Sequence, residues 1–222
     1  MSAANYMDIL LTTANYFPTA VGTTLAVGGL ATGRMPWVMT AAGMGALSVL
    51  LIAVHMVLGK TPLRDWKDAL SGAHVMEMCS LAPIPGASAN TTYFSIPSMW
   101  VSLTTFLLMV IILSASWVAT ANPTSASKEA LPVQQRKGVG TLSILACVIL
   151  FLFLLLLRIR TGCESIVGIL IGILVGAGAG VGWWAVMRRG GVAVWDVHGV
   201  MLGTQPGSLR TGPLACLPVG QK

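Results

Sequence analysis

Charged side chains are scarce in this chain, at 9% of 222 residues against 55% hydrophobic. A water-solvated domain carries about 25% charged residues. That deficit excludes a surface solvated by water all round and makes lipid the solvent for much of the molecule. Metal-ligand patterns are missing too. Cys79, Cys147, Cys163 and Cys216 form no CxxC pair and have no histidine at zinc spacing, so no metal and no cofactor is expected. Cys147 lies inside an apolar span and reads as a small packing residue. Basic and aromatic residues form no joint patch, which argues against a nucleic-acid partner. No cleavable leader is expected either, because no basic segment precedes the first apolar stretch and that stretch runs on into a second.

What is present is a series of apolar segments, each long enough to cross a hydrocarbon core of roughly 30 Å. They cover about 9–31, 37–59, 97–121, 139–157 and 165–187. The expected fold is therefore all-α: a polytopic membrane protein with a bundle of about five transmembrane helices over 1–187 and a tail over 188–222. Arg34 and Pro36 mark a tight turn between the first two spans. The stretch from Lys60 to Ile96 is polar, and its Pro83, Pro85 and Gly86 argue against a continuous helix. Asn122-Pro123 ends the third span, while Arg158 and Arg160 cap the fourth.

Five spans place the termini on opposite sides. The side of the C-terminus carries eight basic residues, among them Arg34, Lys137, Arg188 and Arg189. The other side carries five, Lys60, Arg64, Lys67, Arg158 and Arg160. The positive-inside rule then puts the C-terminus in the cytoplasm. Asn90-Thr91-Thr92 is a glycosylation sequon on the opposite side, which agrees with this orientation.

Glycines recur every fourth residue in the fifth span, at Gly168, Gly172, Gly176 and Gly180. That spacing lines one helical face, where backbones can approach closely. Packing within the chain is the expected use, ahead of a dimer interface.

Three polar groups share one side of the membrane: Lys60 to Asp68, then Pro97-Ser98-Met99-Trp100, then Arg158 to Ser165. Their order resembles the type 2 phosphatidic acid phosphatase superfamily, especially its dolichyl-diphosphatase-like branch, over about 60–184. That family carries Lys-x6-Arg-Pro, Pro-Ser-Gly-His at a helix start, and Arg-x5-His-x3-Asp between its last two helices. The resemblance matches Lys60, Pro97, Ser98 and Arg158. It departs at Lys67-Asp68, which stand for Arg-Pro, and at Trp100, Glu164 and Gly168, which replace the two histidines and the aspartate. The family also has one more N-terminal span.

In the resembling family the third-motif histidine is the nucleophile, the aspartate orients it, the second-motif histidine protonates the leaving group, and the basic residues hold phosphate. Trp100 has only an N–H donor and cannot serve as an acid at neutral pH. A Glu164 carboxylate repels an incoming phosphate unless cations offset it. Gly168 orients nothing. No complete catalytic set is left, and loss of single members of such a unit removes most of the rate.

The expectation is thus a catalytically inactive, phosphatase-like membrane protein with a structural or scaffolding role. Its partners would be the lipid bilayer and other proteins of a larger assembly, such as a virion membrane layer. Lys60, Lys67, Arg158 and Arg160 are candidate anion-binding residues; the plainer reading is helix-end cations snorkelling to water. Glu164 is expected to pair with Arg158 or Arg160, and His55 to hydrogen-bond between helices. One rival is an active lipid phosphate or isoprenyl-diphosphate phosphatase in which His74 or Glu164 replaces the nucleophile. His198 lies on the opposite face. The other rival is a small transporter or channel subunit, for which His55 is the one mid-span ionisable group.

Overall fold

The computed structural model describes residues 3–59, 96–120, 133–160 and 164–189. Five helices make up these segments: α1 (Ala3–Thr32), α2 (Met35–Gly59), α3 (Met99–Thr120), α4 (Val133–Arg160) and α5 (Ile166–Arg189). The all-helical fold expected from the sequence is present. Lys60 and Lys67, the sequon at Asn90, the polar stretch from Lys60 to just before Ile96, and the tail lie outside the described residues.

Local chemistry sets the helix ends. Gly33 takes φ 66° after α1, a conformation glycine adopts without cost. The Arg34 N–H then bonds back to Gly29 O at 2.9 Å, which turns the chain into α2. Ser98 caps α3, its Oγ accepting from Val101 N at 3.2 Å. Ser165 caps α5 in the same way, accepting from Gly168 N at 3.0 Å. Each hydroxyl satisfies one of the orphan donors of a first turn.

Four helices, α2 to α5, are long and apolar enough to cross a membrane. The expected fifth, α1, has the length but falls short in apolarity, because it carries Thr12, Thr13, Thr19, Thr23, Thr24 and Thr32. Four of these hydroxyls are provided for: Thr19, Thr23, Thr24 and Thr32 each donate to a carbonyl three or four residues back. Such back-bonding lowers the cost of placing a hydroxyl in lipid.

Helices α1, α3 and α5 run one way and α2 and α4 the other. Helix α3 is the centre, with Trp100, Val101, Phe106 and Val110 almost wholly enclosed. One apolar cluster joins Met44, Leu47 and Leu51 of α2 to Leu103, Phe106, Leu107 and Val110 of α3 and Met187 of α5. A smaller one joins Ala14, Trp100, Val101, Leu154 and Ile169 near the α3 N-terminus. Helix α4 lies outermost and turns Leu142, Leu145, Ile149, Leu152 and Leu156 outward, an apolar face suited to lipid tails.

The glycine face of α5 sits on α3. A Cβ at Gly172 would lie 3.1 Å from Ser98 O, and one at Gly180 would lie 2.8 Å from Met109 Cβ. At Gly176 it would collide with the carbonyl oxygen of Ser102. Two parallel helices therefore touch backbone to backbone for three turns. Helix α4 uses the same device once: a Cβ on Gly140 would lie 2.8 Å from Ala115 O.

Candidate functional site

At the end of the bundle where α3 and α5 begin, all five helices contribute to one polar cluster. Its origin is a proline. Pro18 lies inside α1 and has no N–H, so the carbonyl four residues earlier loses its helical donor. That carbonyl belongs to Ala14, and the Trp100 indole donates to it at 3.0 Å. Trp100 is thereby fixed in the first turn of α3, 1% exposed.

Arg158, in the last turn of α4, lies over this ring with its guanidinium carbon 5.3 Å from the centroid. A cation over an indole face is attracted by the ring quadrupole. Its Nη1 donates to Asn15 Oδ1 at 2.6 Å. Its Nη2 donates to Glu164 Oε1 at 2.7 Å. The two side chains of this ion pair are 5% and 4% exposed, so each charge depends on the other for solvation. Glu164 Oε2 is buried and has no hydrogen-bond partner among the described residues. Helix α2 joins through His55, whose Nε2 donates to Pro97 O at 3.0 Å. Ser98 N donates to Gly168 O at 3.2 Å, tying the start of α3 to the first turn of α5.

The residues singled out in the sequence fall into three groups. Trp100, Arg158 and Glu164 come together, with Gly168 in the first turn of α5 beside Ser98. Gly168 carries no side chain to orient anything, yet its carbonyl holds the α3 N-terminus. Arg160 is exposed and takes no described part. Lys60, Lys67, His74, Asn90 and His198 lie outside the described residues. The snorkelling reading fails for Arg158: the side chain turns inward, because the Trp100 face and two acceptors lie there, and is 4% exposed.

Asn15 and Pro18 were not singled out from the sequence. Each had a signal: an asparagine in an apolar span needs a polar partner, and a proline there frees a carbonyl. Among the described residues no three His, Cys, Asp or Glu side chains gather in a way that could hold a metal ion.

Two helix N-termini, those of α3 and α5, and two C-termini of opposite sign, those of α2 and α4, share this end, so the helix dipoles largely offset and the Arg158 guanidinium is its main described positive source. The Glu164 carboxylate, immediately before the Ser165 cap of α5, is the anion paired with it. Chemically, the arrangement holds one carboxylate very firmly. Among the described residues its one carboxylate, Glu164, is engaged by the Arg158 guanidinium.

No family model, curated protein or solved structure matches this chain.

Proposed function

We propose that this is a non-catalytic, phosphatase-like integral membrane protein whose polar cluster is a structural clasp, and that it serves as a scaffold in a larger membrane assembly such as a virion membrane layer. The observation that carries the reading is the engagement of Arg158. In a working phosphatase site such a cation must be available to charge that develops on the phosphoryl group. Here it is bonded to Asn15 and Glu164 and covered by Trp100. An incoming phosphate would have to displace a buried carboxylate and leave that charge uncompensated. Trp100 has committed its N–H to Ala14 and has no proton to give a leaving group.

We also propose that the clasp end faces away from the cytoplasm and that the C-terminus faces it, on the eight-to-five bias of basic residues.

The test is turnover. Purified protein incubated with phosphatidic acid, and separately with an isoprenyl diphosphate, should release no phosphate above a no-protein control. Release that disappears in Glu164→Gln would overturn the reading and make Glu164 the nucleophile.

A further inference from the structure

The opposite end of the bundle is built from different chemistry. Arg188 of α5 places its guanidinium carbon 4.2 Å from the Trp117 ring centroid and 5.5 Å from that of Trp184. Arg34, at the α1–α2 turn, lies 5.0 Å from the Trp37 centroid. Arg34, Lys137, Arg188 and Arg189 are all exposed there, and no carboxylate accompanies them among the described residues. The sequence sharpens the contrast. The turn, connection and tail that leave this end carry eight basic and two acidic residues, which is the whole net charge of +6. The segments belonging to the clasp end carry five of each.

We infer that this end is a binding face for anionic phospholipid headgroups, with Arg188, held over Trp117 and Trp184, as its central cation. Three features select that partner. Tryptophans at helix ends sit at headgroup depth in a bilayer. A guanidinium stacked on an indole keeps its in-plane N–H groups for a phosphate, which it can bind through two parallel hydrogen bonds. The cations lie at three separate places, the α1–α2 turn, the start of α4 and the end of α5, a spread matched to a leaflet of separate headgroups and not to one compact anion. This inference does not depend on whether the clasp at the other end is catalytic.

The test is a competition on the full-length protein. Protein in detergent is equilibrated at low ionic strength with equal amounts of palmitoyl-oleoyl phosphatidylglycerol and phosphatidylcholine, and retained lipids are counted by native mass spectrometry. Phosphatidylglycerol should be retained preferentially, by about fivefold for each cation engaged, and the preference should shrink as salt is raised. Arg188→Gln should lower the preference about fivefold, Arg34→Gln by a similar factor, and Arg160→Gln at the clasp end should leave it unchanged. Equal retention of the two lipids by the wild-type protein would overturn the inference whatever the variants do. So would an Arg160→Gln effect as large as that of Arg188→Gln. Displacement of phosphatidylglycerol by an equal concentration of soluble glycerol phosphate would show that the face takes a small anion and not a leaflet.

Discussion

Pro18, Ala14 and Trp100 form a chain of cause that can be tested by substitution. Trp100→Phe keeps the aromatic ring but removes the donor, and Ala14 O then has neither the indole nor a helical N–H. An orphaned buried acceptor costs about 1–3 kcal/mol, so thermal stability in detergent should fall. In a Pro18→Ala background the new N–H at position 18 can reach Ala14 O, and the same Trp100→Phe change should cost clearly less. Equal penalties in both backgrounds would mean that the proline is not what opens that carbonyl. The ion pair makes a second test. Arg158→Leu leaves the Glu164 carboxylate buried without its cation and should cost about 3–5 kcal/mol. Adding Glu164→Leu should recover much of that loss, and a double variant as unstable as the single one would remove the pair from the account. From sequence, the ion pair was legible because Arg158 and Glu164 flank one short turn. The tie to Asn15 was not, because it spans 143 residues and no local pattern encodes a contact between the first and fourth helices.

Glycine at every fourth position in α5 marked a close-packed face, but it did not say which helix would fill it. A spacing of four suits the third span and the fourth equally well. The structure seats Gly172, Gly176 and Gly180 on α3, and α4 meets α3 through its own Gly140. The choice depends on the parallel run of α3 and α5, which is set by their shared clasp end and is invisible to periodicity. The helices themselves were legible, since long apolar runs leave the backbone no other way to satisfy its hydrogen bonds in lipid. Their ends were less so: α4 begins at Val133, six residues before its apolar run, because Gln134, Gln135, Arg136 and Lys137 continue the helix as a polar first turn and a half. Packing separates the glycines by consequence. Gly176→Leu must push α3 and α5 apart, at about 1–3 kcal/mol. Gly178 and Gly182 have nothing within 4 Å of an added Cβ, so Gly178→Ala should be neutral or stabilise by up to about 1 kcal/mol through helix propensity. Ile171→Leu should be nearly silent. Thermal unfolding of the three variants ranks them, and a Gly176→Leu protein as stable as wild type would mean that this face is not closed.

At the scale of the whole molecule, the open question is whether α1 crosses the membrane, since composition alone qualifies only α2 to α5. Its contacts supply an answer that its apolarity does not. One end of α1 turns at Gly33 into α2, beside the Arg34–Trp37 pair and thus at the basic end. Near its middle Asn15 and Ala14 bond to Arg158 and Trp100 in the clasp. A helix tied to both ends of a spanning bundle must itself traverse the bundle. The stretch from Asn15 to Gly33, about 18 residues at roughly 1.5 Å each, reaches about 27 Å, close to the hydrocarbon thickness of roughly 30 Å, and α1 continues beyond the clasp to Ala3. Four of the threonines that lower its apolarity, Thr19, Thr23, Thr24 and Thr32, are bonded to their own backbone, which lowers the cost of carrying them through lipid. The termini should then lie on opposite faces. Epitope tags at the two ends of the chain, probed by protease in sealed vesicles of known orientation, should be cleaved from opposite sides, with the C-terminal tag on the cytoplasmic one. Asn15→Leu should leave that sidedness intact while lowering thermal stability, because it removes a bond to a buried guanidinium but not the hydrophobic reason for insertion. If both tags are cleaved from the same side, α1 lies outside the bilayer, and the ties of Ala14 and Asn15 to the clasp cannot exist in the inserted protein.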